Sequence, residues 1–221
     1  MSKPTPIDDR LRIIEIYASV QGESTWAGLP CVFVRLAGCN LRCTWCDSTF
    51  TFTGGTHHSI EEVVEAVGVF GINLVEITGG EPLAQRQVVP LIEHLQAAGH
   101  QLIVETSGSI DISVLPEGAH AIMDLKPPDS GEEAANHWPN LSHLRPGDEV
   151  KFVLASRRDY EWSRDIVLSH GLAERFPVLF SPAHGLLNPA ELSDWLVADG
   201  LPVRLQLQMH KFIWPPDARG V

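Results

Sequence analysis

CVFVRLAGCNLRCTWC, residues 31–46, joins an apolar segment to a loop that contains three cysteines. Residues 31–38 are rich in β-branched and aromatic side chains, which is typical of a buried strand. Cys39, Cys43 and Cys46 follow with the spacing C-x3-C-x2-C. An iron–sulfur cluster held only by protein takes four thiolates, and structural zinc takes four ligands. Three cysteines therefore indicate a four-iron cluster with one iron open to a small molecule.

Two other assignments of these thiols are open. Cys31 lies inside the apolar strand, where a cysteine is more often a small hydrophobic residue than a ligand. A zinc site with three cysteines would need a histidine as fourth ligand, and none of the ten histidines falls inside the loop. Zinc is therefore the weaker interpretation. The start of the chain, MSKPTPIDDRLR, lacks the apolar region of a signal peptide, which predicts a cytoplasmic protein with reduced thiols.

The composition excludes several classes of function. The 221 residues include 16 Lys and Arg against 28 Asp and Glu, a formal net charge of −12. This charge repels phosphate backbones, so we expect no nucleic-acid partner. No apolar run approaches the roughly 18 residues of a membrane span, so we expect no membrane association. The length and the 44% content of hydrophobic residues predict one globular domain over residues 1–221.

Apolar strands alternate with helical segments on both sides of the cysteine loop. The predicted strands are 12–19, 31–38, 73–78, 101–106, 120–125, 148–155, 177–181 and 203–208, and the predicted helices are 59–70, 84–98, 158–170 and 188–199. This alternation predicts an α/β fold in which helical crossovers connect parallel strands. Open doubly wound sheets and barrels both satisfy the pattern. In both, functional sites collect at the carboxyl ends of the strands.

Four distinctive segments occupy such strand ends: the cysteine loop, TGGEP (78–82), ETSG (105–108) and DLKPP (124–128). Their shared position predicts one active-site face. Paired glycines directly after a strand permit close backbone approach to a ligand. The polar stretch 127–147 predicts a loop that is either functional or mobile.

The cysteine loop and TGGEP together resemble the radical S-adenosylmethionine (SAM) superfamily, whose motif is CxxxCxxC with an aromatic residue before the last cysteine. The resemblance implies a [4Fe-4S] cluster whose open iron binds the amino and carboxylate groups of SAM. An electron from the cluster then cleaves SAM to a 5′-deoxyadenosyl radical. The resemblance implies SAM contacts from Trp45, Cys46, Asp47, Gly79, Gly80, Glu81, Ser107, Asp124, Leu125 and Lys126.

A longer resemblance runs from SVQGES through DEVKFVLAS to QMHKFIWPP, and it is to the 7-carboxy-7-deazaguanine synthase (QueE) family. It implies the ring contraction of 6-carboxy-5,6,7,8-tetrahydropterin to 7-carboxy-7-deazaguanine with loss of ammonia, in 7-deazapurine (queuosine) biosynthesis. It also implies catalytic use of SAM, a need for Mg2+, a shortened and partly open parallel (β/α)6-type barrel, a homodimer, and an electron donor such as flavodoxin or ferredoxin.

The same resemblance implies the substrate and magnesium contacts. Ser48, where relatives more often have Thr, would bind Mg2+ through its hydroxyl, and a helix or turn cap is the other interpretation of Asp47 and Ser48. Arg35 lies among apolar neighbours, so its charge needs an anion. That anion is either the substrate carboxylate or an internal carboxylate. The implied substrate contacts are Val20, Gln21, Gly22, Glu23, Arg35, Thr78, His210 and Pro216, with five residues after the last.

Two rival functions share parts of this pattern. A glycyl-radical-enzyme activating enzyme has a similar cysteine loop and TGGEP segment, but it acts on a protein glycine and needs no contacts to a pterin. The QGE turn (21–23), Arg35 and the HKFIWPP segment (210–216) therefore favour the pterin enzyme. A non-catalytic iron–sulfur carrier or zinc module would usually supply a full ligand set and needs no SAM pocket.

Overall fold

The computed structural model describes residues 10–221, and one nine-stranded sheet runs through them. The strands are β1 Leu11–Val20, β2 Pro30–Leu36, β3 Thr56–His58, β4 Leu74–Gly79, β5 Gln101–Thr106, β6 Ala119–Asp124, β7 Glu149–Leu154, β8 Val178–Pro182 and β9 Arg204–Leu205. The helices are α1 Ile60–Gly68, α2 Val88–Ala97, α3 Arg157–Ser169, α4 Leu172–Arg175, α5 Pro189–Asp199 and α6 His210–Ile213.

The sheet is open, which agrees with the predicted partly open barrel. Its strand order is β3-β1-β2-β4-β5-β6-β7-β8-β9, with β3 and β9 at the two edges. Strands β2 to β9 are parallel, apart from β3, whereas β1 pairs antiparallel with β2 and with β3. The carboxyl ends of seven parallel strands therefore lie at one edge of the sheet, because parallel neighbours share their direction.

Each strand presents alternate residues to the two faces of the sheet, because side chains alternate along a strand. On β2, Val32, Val34 and Leu36 belong to the main apolar core, which also contains buried residues of α1, α2, α3 and α5. The intervening residues of β2 face the concave side. A small apolar cluster lies on that side and is called the lower layer. Its members are Cys31, Phe33, Leu74, Ile103 and Ile122. Nearer the carboxyl ends, the concave face becomes polar.

The helix α1 begins with the capping box that its sequence predicts. The Ser59 hydroxyl accepts a hydrogen bond from the Glu62 amide at 3.2 Å, and the Glu62 carboxylate accepts one from the Ser59 amide at 2.9 Å. Two amides at the start of the helix are thereby satisfied, which stabilises the helix by about 1 kcal/mol.

Several sequence-based boundaries were wrong. The predicted helix 84–98 is a 3-10 turn at Pro82–Ala84 followed by α2, because Pro82 starts a turn that Glu81 caps. The last strand, predicted over 203–208, contains only Arg204–Leu205. Residues beyond it leave the sheet and carry Gln208 toward the cavity. The strand β3 and the helix α6 were not predicted.

The connections from β5 to β6 and from β6 to β7 contain 3-10 turns and no α-helix, so the strict strand–helix alternation fails there. The stretch 127–147 is well organised by hydrogen bonds. The Ser130 carbonyl accepts bonds from the amide and hydroxyl of Thr44, at 2.9 and 3.1 Å, and the Glu132 carboxylate accepts one from the Arg42 amide at 2.5 Å. This stretch therefore supports the cysteine loop.

Among residues 10–221, none of the helices combines the length and the apolar character that crossing a bilayer needs.

Candidate active site

A cavity of about 820 Å3 lies at the carboxyl ends of the parallel strands. Nearly all the residues that the sequence predicted for the site line it, although they come from distant parts of the chain. These residues are Val20, Gln21, Gly22, Glu23, Arg35, Cys39, Cys43, Trp45, Cys46, Asp47, Ser48, Thr78, Gly79, Gly80, Ser107, Asp124, Lys126, His210 and Pro216. Glu81 and Leu125 are absent from the lining and are buried behind it.

Three thiols form one wall of this cavity. Cys39, Cys43 and Cys46 are each partly buried, and burial raises the pKa of all three. The positive charge of Lys126 opposes this rise at all three, and it would stabilise thiolates that bind iron. Cys31 is fully buried in the lower layer and does not line the cavity. The donor set at the cavity is therefore three thiols, which fits a four-iron cluster with one open iron.

A single metal ion fits this wall less well. In the part of the chain that the structure describes, no three Cys, His, Asp or Glu side chains converge closely enough to hold one ion. The thiolates of a four-iron cluster each bind a different iron atom, so they lie farther apart than the ligands of a single zinc ion.

The paired glycines of TGGEP dock the end of β4 against the cysteine loop. Gly79 has φ +140°, and a Cβ on either glycine would collide with backbone, that of Leu36 for Gly79 and that of Gly38 for Gly80. The Gly80 amide donates to the Leu36 carbonyl at 3.2 Å. The close backbone approach predicted for these glycines is thus an approach to the chain itself, and it brings Gly80 beside Cys39.

The Glu81 carboxylate holds the end of β5 in place. It accepts hydrogen bonds from the Ser107 amide at 2.7 Å, from the Thr106 hydroxyl at 2.9 Å and from the Leu83 amide at 3.0 Å. The sequence suggested that Glu81 and Leu125 contact SAM. Neither side chain lines the cavity: Glu81 supports the end of β5, and Leu125 packs in the apolar core.

Asp124 and Lys126 form a buried ion pair on the same side of the cavity. The Lys126 ammonium lies 2.7 Å from Asp124 Oδ2. The other oxygen, Asp124 Oδ1, is buried and has no hydrogen-bond partner. An orphaned buried acceptor is costly unless a ligand supplies a donor. It therefore fits a hydroxyl-bearing ligand such as the ribose of SAM.

A second group of cavity-lining residues, called the charged wall, is built from paired charges. Lys151 on β7 is 4% exposed, and its ammonium lies 2.8 Å from Glu23 Oε2 and also contacts Glu105. The second oxygen of Glu105 accepts a hydrogen bond from the Thr78 hydroxyl at 3.2 Å. Although burial acts in the other direction, the charge of Lys151 lowers the pKa of Glu105. One ammonium thus holds two carboxylates, and through them it positions two of the predicted substrate contacts.

Glu76 on β4 extends this charged wall. Burial and the negative charge of Glu105 raise its pKa well above the ordinary value. Gln21 donates a hydrogen bond from Nε2 to Glu76, and its Oε1 accepts one from the Glu23 amide at 3.0 Å. Both ends of the Gln21 amide are therefore engaged, which orients the QGE turn against the sheet.

Arg35 has internal partners, so the alternative of an internal salt bridge is present in the structure. Its Nε lies 2.8 Å from the Glu15 carboxylate, and its Nη2 donates to the Tyr17 hydroxyl at 2.9 Å. Although burial opposes it, these partners raise the pKa of Arg35. Arg35 still lines the cavity, and a guanidinium carries five N–H donors.

The C-terminal segment closes one side of the cavity. The Lys211 ammonium lies 2.7 Å from Asp47 Oδ2, and Gln208 donates to Glu23 at 3.0 Å. Despite burial, Lys211 lowers the pKa of Asp47 to about 2. Gly22 packs so closely on His210 that a Cβ would collide with the imidazole.

Ser48 lies next to the cysteine wall. Its hydroxyl donates to Asp47 Oδ1 at 3.1 Å and makes no capping hydrogen bond to the following 3-10 turn. Ser48 does occupy the cap position of that turn, where its carbonyl accepts hydrogen bonds from the Thr51 amide and hydroxyl at 2.9 and 2.7 Å, and its hydroxyl is not used by the cap. Ser48 lines the cavity together with Asp47.

Sequence reasoning missed the charged partners of this site, among them Glu15, Tyr17, Glu76, Glu105 and Lys151. A signal for three of them was available. Glu76, Glu105 and Lys151 each interrupt an apolar strand, where an unpaired charge is expensive. Three such interruptions on parallel strands predict a shared polar face.

The comparisons with known proteins agree with this site. Residues 33–130 match the model of the Radical SAM superfamily. The chain is 46% identical to the 7-carboxy-7-deazaguanine synthase of Koribacter versatilis, over 96% of this chain and 100% of that protein. It is 42% identical to the enzyme of the same name from Chlorobaculum tepidum, over 96% and 97% of the two chains.

A solved structure has the same fold. The crystal structure of QueE from Escherichia coli superposes with a TM-score of 0.73 at 22% identity, and covers 95% of this chain and 100% of that one. Identities above 40% over nearly the full length, together with a superfamily match that includes the three-cysteine wall, show that the chain belongs to the 7-carboxy-7-deazaguanine synthase family of radical SAM enzymes.

Proposed function

We propose that this chain is a carbon–nitrogen lyase that converts carboxytetrahydropterin to 7-carboxy-7-deazaguanine with loss of ammonia. The observation that carries the proposal is the cavity, in which a three-thiol wall faces a buried charged wall. The first wall suits a cluster with an open iron, and the second suits a small polar heterocycle. Relatives that share up to 46% of the sequence carry the name of this activity.

Bound together, the [4Fe-4S] cluster and SAM supply the radical that starts the reaction. Cys39, Cys43 and Cys46 would hold the cluster. The unpartnered Asp124 Oδ1 would accept a hydrogen bond from SAM, and Lys126 would keep that carboxylate in place. Trp45, Asp47, Gly79, Gly80 and Ser107 complete the cofactor side, where they line the cavity.

The charged wall holds the pterin. The QGE turn, Arg35, Thr78, His210 and Pro216 line this half of the cavity. Lys151 holds the Glu23 carboxylate in place, so that its oxygens can accept hydrogen bonds from N–H groups of the pyrimidine ring. Burial lowers the pKa of His210, so its imidazole is neutral near pH 7 and can accept or donate a hydrogen bond.

The test is anaerobic reconstitution of the cluster, followed by incubation with SAM, a reductant and carboxytetrahydropterin. Mass spectrometry should show 7-carboxy-7-deazaguanine, with more product formed than SAM consumed. Cleavage of SAM without any pterin product, together with a glycyl radical formed on a partner protein, would instead establish an activating enzyme.

We also propose that Mg2+ binds at Ser48. Hard Mg2+ prefers oxygen ligands, and Ser48 and Asp47 both line the cavity beside the charged wall. Mg2+ should accelerate turnover of the wild type, and Ser48→Ala should weaken that response while SAM binding is retained. An unchanged magnesium dependence in the variant would remove Ser48 from the metal site.

We also propose that the enzyme is a single-domain homodimer in the cytoplasm, reduced by a flavodoxin or a ferredoxin. A single domain is supported by the continuous sheet. A homodimer is supported by exposed apolar side chains near the open edge at β9, among them Leu186, Leu205 and Phe212. A cytoplasmic location and a flavodoxin or ferredoxin donor suit a cluster that must be reduced. Light scattering tests the dimer, and reconstitution with each donor tests the source of electrons.

A further inference from the structure

The lysine and arginine side chains that line the cavity differ in whether they have a carboxylate partner. They are Arg35, Lys126, Lys151, Lys211 and Arg219. The first four each lie within ion-pair distance of a carboxylate, namely that of Glu15, Asp124, Glu23 and Asp47, at 2.7 to 2.8 Å. Arg219 is the exception: across residues 10–221, the structure records no carboxylate partner for its guanidinium.

Arg219 is nevertheless held in a defined place. Its guanidinium carbon lies 3.8 Å from the centroid of the Phe50 ring, and the guanidinium carbon of Arg35 lies 6.0 Å from the same centroid. Phe50 belongs to the short turn directly after the cysteine loop. The C-terminal segment thus brings a second guanidinium to the aromatic ring that Arg35 also approaches, and both residues line the cavity.

A stacked guanidinium keeps its binding edge available. Stacking on an aromatic ring uses the flat face of the group, whereas its N–H donors project in the plane. Two of those donors match the two oxygens of a carboxylate. Arg219 therefore has both the charge and the donor geometry for an anion, and Phe50 limits the freedom that binding would remove.

The charge balance of the cavity creates a need for this cation. Glu15 neutralises Arg35, and Lys151 is shared by two carboxylates. An anionic ligand that entered the cavity would lie beside cations that carboxylates already neutralise and beside several acidic side chains. Under the proposed function, the substrate carries a carboxylate at position 6 of the pterin.

We propose that Arg219 is a second carboxylate-binding residue, which together with Arg35 binds the substrate carboxylate next to Phe50. This inference rests on the proposed function. It makes the C-terminal segment a determinant of specificity for carboxylated pterins over pterins that lack the carboxylate.

The experiment measures equilibrium binding to the reconstituted holoenzyme with SAM present. The two ligands are carboxytetrahydropterin and the tetrahydropterin without the carboxylate. Arg219→Gln should weaken binding of the carboxylated ligand by about three- to tenfold, because Arg219 is exposed and solvent screens its charge-assisted bond, and leave the other ligand unchanged. Arg219→Lys should lose part of this affinity, because an ammonium cannot form the two parallel bonds.

Arg204→Gln is the matched control, since Arg204 is exposed on the edge strand and does not line the cavity. It removes the same charge and should change neither affinity. Equal weakening of both ligands by Arg219→Gln would mean that Arg219 only seats the C-terminal segment, and unchanged binding would remove it from the site. If Arg204→Gln weakened binding as much as Arg219→Gln, the loss would come from net charge and not from a contact with the carboxylate.

Each of these results overturns the inference while the wild type still makes product. A wild type that neither binds nor converts carboxytetrahydropterin would overturn the proposed function instead.

Discussion

The two walls of the cavity are built in different ways. The thiol wall comes from one short loop, residues 39–46, and from the TGGEP turn that docks on it through Gly79 and Gly80. The charged wall joins Glu23, Glu105 and Lys151, and the first and last of these lie 128 positions apart in the chain. The first wall is therefore a local motif, whereas the second exists only because the parallel sheet aligns its strands.

The two walls also differ in what stabilises them. The thiols gain their stability from a bound cluster, because burial alone disfavours their charged forms. The charged wall is already paired without a ligand. Removing a group from the first wall should therefore abolish cofactor binding, and removing one from the second should weaken both the fold and substrate binding.

The largest expected effect comes from the thiol wall. Replacing Cys39, Cys43 or Cys46 by Ala should abolish assembly of the cluster, because two thiolates cannot hold four irons. Iron and sulfide content after anaerobic reconstitution measures this loss. Cys31→Ala is the control, since Cys31 lies in the lower apolar layer. Loss of iron from the Cys31 variant with retention in the Cys39 variant would contradict the ligand assignment.

Lys151→Met should be the most damaging change in the charged wall. It leaves the half-buried carboxylates of Glu23 and Glu105 without their cation, and loss of one member of a buried ion pair costs about 3–5 kcal/mol. For a chain of this size the thermal midpoint should fall by about 10 °C, since each kcal/mol corresponds to roughly 2–4 °C.

The double variant Lys151→Met with Glu105→Gln is the matched test of this pairing. It removes one negative charge together with the ammonium, so it should recover part of the lost stability. A double variant less stable than Lys151→Met alone would show that packing of the lysine chain, rather than its charge, holds the wall together.

Arg35→Ala should have an intermediate effect that falls on the substrate. A charge-assisted bond between a guanidinium and a carboxylate contributes about 1.5–3 kcal/mol, so affinity for carboxytetrahydropterin should fall roughly 10- to 100-fold. Lys at this position should restore only part of the affinity. Uncoupled cleavage of SAM by the reduced cluster should continue. Normal substrate binding combined with lost SAM cleavage would move Arg35 to the cofactor side.

Glu76→Gln should have an effect that is small near pH 5 and grows as the pH rises. The pKa of Glu76 is raised in the folded state above its ordinary value of 4.5. Below that pH both states are protonated and the stability is fully present. As the pH rises, the unfolded chain releases its proton first, so wild-type stability falls by up to about 1.4 kcal/mol per pH unit until the folded-state pKa is reached.

The glutamine introduced by Glu76→Gln does not titrate, so the variant should gain stability relative to the wild type between about pH 5 and about pH 7. Urea unfolding of both proteins at the two pH values measures this difference. The same stability difference at both pH values would mean that Glu76 is ionised in the folded protein.

Local sequence patterns were sufficient for one half of the site. The capping box at Ser59, the strand 101–106 and the three-thiol loop were all predicted at their observed positions, because each depends on neighbouring residues. The connections after β5 and β6 were not, since a helical crossover is only one way to join parallel strands. Buried hydrogen bonds of Asn136 and Asn140 hold these connections instead.

The sequence by itself determined the alternation of strands with helices over most of the chain, the iron that is open to a small molecule, and the family. Spacing and side-chain chemistry act over short stretches of chain. Only the tertiary structure decided that Glu81 supports the end of β5, that Lys151 joins two carboxylates and that Arg219 reaches Phe50. These partners come together through the register of the sheet and the path of the C-terminal segment. The sequence does not show which partner a charged residue will have. Burial next to that partner determines whether the residue is ionised and what its role is.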